Sequence, residues 1–171
     1  MLTPIKVPPE GFEGAGYGKI VRFQAPQLLG EILDRISGAL GLPGLSVAVP
    51  QSTPAGKKSQ IKISSIGICA GSGSMLNGLD VDLLFTGEFS HHEALAAVEK
   101  GRSVITTLHS NSERLYLQTT MHRKLYAEIR RQIQEMDATS NWEAALTREF
   151  QVDSSRVDRD PFEIVTKWED W

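Results

Sequence analysis

The sequence has 171 residues, of which 40% are hydrophobic and 23% are charged, a composition typical of a soluble globular domain with one buried core. The formal net charge is −3 and no basic run is present, so direct binding to nucleic acid through phosphate contacts is not expected. No apolar stretch approaches the roughly 20 residues that span a bilayer, and the N-terminal segment lacks the order of a secretory signal. A single cysteine, Cys69, excludes an internal disulfide. We therefore expect a cytoplasmic protein without membrane contact, for which a nuclear or mitochondrial location also stays open.

The first third of the chain predicts a leader followed by a small number of short elements. Residues 1–18 are rich in proline and glycine, which predicts an extended leader or connector before a domain at residues 19–167. Alternation from Tyr17 to Phe23 predicts a strand, and Pro26 predicts the start of a helix that ends at Gly41. Leu45–Val49 is a short strand pattern, and residues 51–60 have the composition of a loop.

A glycine- and serine-rich segment, residues 70–74, follows the next predicted strand, Ile61–Cys69. Backbone N–H groups in such a segment can bind phosphate or carboxylate when a helix follows. The segment lacks the full dinucleotide fingerprint and the P-loop lysine, so a tight turn before a short helix near residues 75–79 is the favoured interpretation. Gly71, Ser72 and Gly73 would line any site at this point. Cys69 is interpreted as a small buried residue, because no base stands beside it in sequence.

Residues 81–113 contain two strand–helix units in succession. Val81–Phe85 and Ser103–Leu108 have buried-strand patterns, and each is followed by a Ser-x-x-Glu capping box, at Ser90 and at Ser110. Consecutive units of this kind build parallel strands whose carboxyl ends meet at one edge of the sheet, where open α/β sheets bind ligands. The polar residues predicted at this edge are Glu88, His91, His92, His109 and Glu113.

The C-terminal part predicts one long helix and two final strands. The helix would run from Ser112 to about Met136, and apolar residues at every fourth position predict a stripe that faces the core. The stripe consists of Leu117, Met121, Leu125, Ile129 and Ile133. A short helix is predicted at residues 142–149, and strands at Phe150–Val157 and Phe162–Val165. The whole pattern predicts an α/β fold, a single domain with a mixed, largely parallel sheet flanked by helices.

His109 and Glu113 are the best candidates for metal ligands. A histidine at a strand end and a glutamate four residues later, in the first helical turn, can reach one point, and their donor atoms suit Zn, Mn or Fe. Spacing alone favours a plainer interpretation, in which His109 is a hydrogen-bonded strand end and Glu113 a capping residue. Two ligands are also too few, because a catalytic zinc needs about three protein ligands. His91 and His92 point about 100° apart on a helix, so at most one would face the same point. Glu88 could ligate, act as a general base or orient a histidine.

Several separated motifs in one order carry a resemblance to a known family. They are Cys69–Ser74, Thr86-Gly-Glu88 with Ser90-His-His92, His109-x-x-x-Glu113, and Val157–Pro161. This pattern resembles the C-terminal half of the Nif-three-like family, also called the GTP cyclohydrolase 1 type 2 homologues, from about Ile5 to near Val165. The resemblance implies one of two similar α/β halves, in subunits that form ring-like homo-oligomers.

The resemblance also implies a dinuclear site with two divalent ions, of Zn, Mn, Fe or Mg. The family's C-terminal half supplies a histidine and a glutamate that match His109 and Glu113, and the other ligands belong to an N-terminal half that this sequence does not contain. His91 and His92 are carried over only as site-lining residues. Glu88 is carried over as a candidate catalytic residue.

Two functions are consistent with this resemblance. One is a metal-dependent hydrolase of a nucleotide-like or other phosphorylated substrate, completed by the N-terminal half. The other is a non-enzymatic oligomeric module that binds protein partners, linked to transcription regulation. In both cases we expect an exposed apolar surface where the other half would dock.

Overall fold

The computed structural model describes residues 2–4, 10–11, 15–137 and 150–165. The chain divides into two compact units, the first formed by Met1–Glu113 with Asp160–Trp171 and the second by Arg114–Arg159. The sheet and the candidate site both belong to the first unit.

The first unit is built on a six-stranded mixed sheet in the order β1-β2-β4-β5-β6-β3. The strands are β1 (Leu2–Pro4), β2 (Lys19–Leu28), β3 (Ser46–Ala48), β4 (Lys62–Ser72), β5 (Leu83–Glu88) and β6 (Ser103–Thr106). The neighbours β4, β5 and β6 are parallel, whereas β1 and β4 pair antiparallel with β2, and β3 pairs antiparallel with β6. The predicted α/β fold with a mixed sheet is confirmed. Its parallel part is smaller than predicted, because the outer strands pair antiparallel.

The chemistry of the boundary residues explains where helix α1 ends and where helix α2 begins. Helix α1 (Leu29–Leu40) ends at Gly41, which has a φ of +64° and donates its N–H to the Ser37 carbonyl, so a residue with a side chain would be strained there. Helix α2 (His91–Glu99) begins with the predicted capping box of Ser90 and Glu93, and both reciprocal bonds are formed. The Ser90 N–H and the Ser90 hydroxyl both donate to the Glu93 carboxylate, and these two bonds hold its pKa below its usual value. No helix in the described part of the chain combines the length and the apolar character needed to cross a membrane.

The core consists of two groups of buried side chains that alternate along the parallel strands. Leu83 and Ile105 pack with Leu29 and Ile32 of α1, whereas their neighbours Leu84 and Val104 pack with Ala97 of α2. Successive residues of a strand point to opposite faces, so this alternation places apolar side chains on both faces of the sheet. Strands buried on both faces have nearly continuous apolar sequences, which explains why the sequence pattern predicted β5 and β6. Each fully buried Leu or Ile stabilises the fold by about 1.5–3 kcal/mol.

The bounds of three predicted elements differ from those in the structure. Strand β2 continues through Pro26 to Leu28, so the helix predicted to start at Pro26 starts at Leu29 instead. The pairing of β2 with β4 is irregular between Arg22 and Gln27, so Pro26, which has no N–H, costs no hydrogen bond of the sheet there. Strand β4 likewise continues past Cys69 to Ser72 through an irregularity at its end. Within the predicted extended leader, Leu2–Pro4 form a strand that pairs with β2, while residues 5–9 and 12–14 lie outside the described ranges.

The predicted long helix is formed in three consecutive segments. They are α3 (Asn111–Tyr116), a π-helical segment (Leu117–Met121) and α4 (His122–Asp137). The prediction that its apolar stripe is core is wrong, because Leu117, Met121 and Leu125 are 50%, 42% and 45% exposed. These residues belong to the second unit, whose described part contains no sheet on which the stripe could pack.

The predicted C-terminal strands are also absent from the described residues. Phe150–Val157 and Phe162–Val165 are irregular there, because neither segment pairs with a strand of the sheet. The Phe150 ring instead packs against Tyr126 of α4, with ring centroids 4.8 Å apart. The helix predicted at residues 142–149 lies outside the described residues.

We expect Gly73→Ala to lower the free energy of unfolding by about 1–3 kcal/mol, the usual cost of overpacking. A Cβ at Gly73 would lie 2.6 Å from Thr86 Cγ2 and 3.0 Å from the Glu88 carbonyl oxygen. Gly38→Ala in α1 is the matched control, because a Cβ there meets no atom within 4 Å, and it should stabilise the helix slightly. Urea denaturation measures both variants. A Gly73→Ala variant as stable as the parent would contradict the packing.

Candidate metal site

The candidate site lies beyond the carboxyl ends of β5 and β6, at the edge that the strand–helix units predicted. Glu88 is the last residue of β5, His109 follows β6 and Glu113 lies in the first turn of α3. His109 Nδ1 is 2.9 Å from Glu88 Oε1, and His109 Nε2 is 3.7 Å from Glu113 Oε1. The three side chains are 48%, 56% and 41% exposed, in the order His109, Glu88, Glu113. The imidazole therefore lies between two carboxylates and is open to solvent.

The contact with Glu88 determines which ring nitrogen of His109 is available to a ligand. A carboxylate only accepts hydrogen bonds, so Nδ1 must donate its proton to Glu88 Oε1. In the neutral ring Nε2 is then the nitrogen with a free lone pair, and it is the one that faces Glu113. The hydrogen bond with Glu88 is the main cause that raises the pKa of His109, desolvation opposes it, and the charges of Glu88, Glu113 and Asp160 add to it. A metal ion at Nε2 would compete with a proton.

Gly71 faces the gap between the two candidate ligand atoms. It has a φ of +66°, a conformation that side chains other than glycine adopt at a cost. A Cβ built on Gly71 would lie 2.7 Å from Glu113 Oε1 and 3.0 Å from His109 Nε2. The absence of a side chain at this position therefore keeps open the space between the imidazole nitrogen and the carboxylate oxygen.

Backbone hydrogen bonds connect the end of β4 to the other two elements of the site. The Gly71 N–H donates to Ser112 Oγ at 2.7 Å, and the Ser112 hydroxyl donates to the His109 carbonyl at 2.6 Å. The Gly73 N–H donates to the Glu88 carbonyl at 2.9 Å. Because these two N–H groups are already bonded within the protein, the structure favours the tight-turn interpretation of segment 70–74 over a phosphate cradle.

The second predicted capping box differs from the prediction. The Ser110 N–H, expected to bond Glu113, donates instead to Asp160 Oδ2 at 3.0 Å, and the Ser110 hydroxyl donates to the same oxygen at 2.9 Å. Asp160 thus takes the role predicted for Glu113, whose carboxylate points toward His109. Leu108, just before His109, has a φ of +71°, a conformation that costs about 1–3 kcal/mol in a non-glycine residue and is common at functional sites.

The predicted histidine pair of α2 has contacts of its own. His91 and His92 are exposed in the first turn of α2, and their rings contact each other at 5.5 Å between centroids. His92 lines a separate cleft of about 260 Å³ together with Glu93, Lys100 and Arg102. Ser72 is exposed, whereas the thiol of Cys69 is buried, and burial raises its pKa. Cys69 is therefore a protonated packing residue rather than a nucleophile.

The described residues contain no group of three or more His, Cys, Asp or Glu side chains that could hold a metal ion. Glu88 bonds the opposite ring nitrogen of His109, so the pair of His109 and Glu113 provides two donor atoms on one side of a gap. Sequence reasoning did not identify Asp160 as part of this site. The only signal for it was its place in the Val157–Pro161 motif.

Comparisons with known proteins agree on one family. A Nif3-like protein from Schizosaccharomyces pombe is 40% identical over 121 residues, which are 70% of this chain and 41% of the relative. The NGG1-interacting factor 3 of Saccharomyces cerevisiae is 42% identical over 109 residues, which are 62% of this chain and 37% of that protein. The chain thus spans about two fifths of the length of these relatives.

A solved structure of a Bacillus cereus protein related to NIF3 has a similar fold. Its TM-score is 0.62 at 19% identity, and the match covers 88% of this chain and 36% of the other. The sequence profile of the Duf34/NIF3 (NGG1p interacting factor 3) family matches residues 2–141. The Nif-three-like resemblance is therefore confirmed, and the chain belongs to the Duf34/NIF3 family.

Proposed function

We propose that this chain supplies two ligands, His109 Nε2 and a Glu113 carboxylate oxygen, to a divalent-metal site that other residues complete. The observation that supports this most is the 3.7 Å gap between these atoms, with Gly71 facing it. Two ligands about 2.1 Å from a tetrahedral ion lie roughly 3.4 Å apart, so a small rotation of Glu113 would close the difference. A side chain at position 71 would fill that space. The imidazole nitrogen and carboxylate oxygen suit Zn, Mn or Fe, and we propose that the completed site is dinuclear.

In this proposal Glu88 orients His109 rather than acting as a general base. Its Oε1 accepts the Nδ1–H at 2.9 Å, an arrangement in which a carboxylate fixes the tautomer and the ring orientation of a metal-binding histidine. The bond also makes Nε2 a stronger metal ligand, because the negative charge of Glu88 offsets part of the electron density that a bound metal ion would withdraw from the ring.

We further propose that the complete site is hydrolytic and acts on a phosphorylated, nucleotide-like substrate. A bound divalent ion would act as a Lewis acid on a phosphoryl oxygen and would lower the pKa of water. The residues of this chain would hold the ion through His109 and Glu113 and keep the imidazole aligned through Glu88. Two protein ligands are fewer than a catalytic site uses, so activity would require the ligands that lie outside this sequence.

An interaction module is the second candidate, favoured by the exposed apolar residues of the second unit. Leu115, Tyr116, Leu117, Met121 and Leu125 are between 42% and 50% exposed. Several large apolar side chains exposed along one helical segment are characteristic of a protein–protein contact. The partner would be another copy of the chain, the N-terminal half of the family fold or a different protein. Hydrolysis assays on a full-length relative discriminate the candidates, because a binding module need not turn over a substrate.

Calorimetric titration with zinc or manganese should detect weak binding that depends on His109. The described residues offer two ligands at this point, so affinity should be low and should be lost in His109→Ala. His91→Ala is the matched control, because His91 is an exposed histidine whose ring contact is with His92. A full-length relative should bind orders of magnitude more tightly, since preorganised side chains replace water. Tight binding that survives His109→Ala would contradict the ligand assignment.

Gly71→Ala should abolish metal binding, and Gly56→Ala should not. Both glycines have positive φ, +66° and +74°, so each substitution should cost about 1–2 kcal/mol of backbone strain. Only the Cβ at position 71 meets the candidate ligand atoms, because nothing lies within 4 Å of a Cβ at position 56. Chemical denaturation measures the shared strain and calorimetry the difference in binding. Equal zinc affinity in the two variants would show that the gap beside Gly71 is not the metal position.

Glu88→Gln should lower the pKa of His109 in the metal-free protein, because the hydrogen bond from Glu88 is the main cause of its raised value. A raised folded-state pKa stabilises the fold fully below the unfolded value of about 6.5, and this contribution disappears as pH rises through the folded value. The pH dependence of stability around the folded pKa should therefore flatten in Glu88→Gln. Histidine NMR titration measures the shift, with Glu99→Gln as a control of equal charge change. An unchanged His109 titration in Glu88→Gln would disprove the contact.

A further inference from the structure

Asp160 is a buried carboxylate that the proposed metal function does not use. Only 6% of its surface is exposed, and it lies in the Val157–Pro161 motif. Its Oδ2 accepts the Ser110 N–H at 3.0 Å and the Ser110 hydroxyl at 2.9 Å, while Oδ1 accepts the Phe162 N–H at 3.1 Å. A buried carboxylate is tolerated only when polar contacts replace its lost hydration, and these three bonds contribute to that replacement.

Ser110, the residue that Asp160 holds, lies between the two candidate metal ligands in sequence. It directly follows His109, and its carbonyl accepts the Glu113 N–H at 3.1 Å. The His109 carbonyl accepts the Ser112 N–H at 3.2 Å, so the whole turn from His109 to Glu113 is fixed through short-range bonds. Leu108 enters this turn with a positive φ, a strained conformation that persists only when the surroundings hold it.

We propose that Asp160 is a positioning residue that sets the spacing of His109 and Glu113 by anchoring Ser110. Its importance for metal binding rests on the proposed function, whereas the anchoring itself is a property of the metal-free protein. The ligand pair is then held from two directions. Glu88 fixes the ring of His109, and Asp160 fixes the backbone that carries both ligands.

The geometry specifies an aspartate at this position. Two donors of Ser110 converge on one oxygen, and the Phe162 N–H requires the other. An asparagine of the same shape keeps one acceptor oxygen and turns an NH₂ group toward a donor. Asp160→Asn therefore cannot keep all three bonds, and it removes the negative charge that strengthens them, with little change in volume.

Asp158→Asn is a matched control, with the same substitution two residues away. The Asp158 side chain is 68% exposed and pairs with Arg114 rather than with Ser110. Both variants lose one negative charge, so a difference between them reports the contacts of Asp160 and not the net charge.

The experiment combines residue-level amide exchange on the metal-free chain with zinc titration. In Asp160→Asn we expect the Ser110 and Glu113 amides to exchange about 10-fold faster or more, and zinc affinity to fall by about 10- to 100-fold, the usual effect of losing a partner that holds a ligand. Asp158→Asn should change neither. In a Ser110→Ala background the effect of Asp160→Asn on affinity should shrink, because coupled residues are not additive.

Unchanged exchange at Ser110 in a folded Asp160→Asn would overturn the inference, whether or not zinc binds. A parent chain that binds no zinc would contradict the proposed function instead, and the exchange data would still decide whether Asp160 holds the turn. If Asp160→Asn does not fold, Ser110→Ala replaces it, since this variant removes the hydroxyl bond to Oδ2 and keeps the bonds from the Ser110 and Phe162 N–H groups. Ser110→Ala should then exchange faster at Glu113 and bind zinc more weakly than the parent, and parent-like values of both would overturn the inference.

Discussion

The hydrogen bond between His109 and Glu88 is the contact on which the candidate site depends. It joins the last residue of β5 to the turn after β6, and it leaves Nε2 of the imidazole facing Glu113. The parallel pairing of β4, β5 and β6 makes this contact possible, because it brings three strand ends to one edge. A buried core on both faces of the sheet holds that edge in register, so a solvent-exposed site rests on a rigid support.

The second constraint on the candidate site is the close approach of the backbone at the end of β4 to its neighbours. Gly71 and Gly73 allow the end of β4 to lie against the ligand pair and against Thr86, where a Cβ would collide. The resulting site has two donor atoms with space between them and no third ligand among the described residues. Together with a match to about two fifths of each relative, this supports the proposal that the chain contributes part of a metal centre. The exposed apolar residues of the second unit are compatible with a further contact surface.

Local sequence signals predicted the elements and residues whose causes are local. The apolar runs of β5 and β6 and the Ser90–Glu93 capping box are examples, and strand order alone placed Glu88 near His109. The antiparallel pairing of β2 and its passage through Pro26 depend on a neighbour distant in sequence, so propensity failed there. Asp160 could not be found by spacing, because it reaches Ser110 from 50 positions away. Periodicity identified the stripe at Leu117, Met121 and Leu125 but could not show whether anything covers it.

We propose that a divalent ion binds at His109 Nε2 while Nδ1 keeps its proton and donates it in the hydrogen bond to Glu88. Nitrogen-15 NMR of the histidine rings during zinc titration tests this most directly, because the two ring nitrogens have separate shifts that report protonation and metal binding. We expect a zinc-dependent shift of His109 Nε2, a protonated Nδ1 throughout, and unchanged rings of His91 and His92. Loss of the Nδ1 proton of His109 on zinc binding, or a zinc-dependent change at His91 or His92 with none at His109, would contradict this proposal.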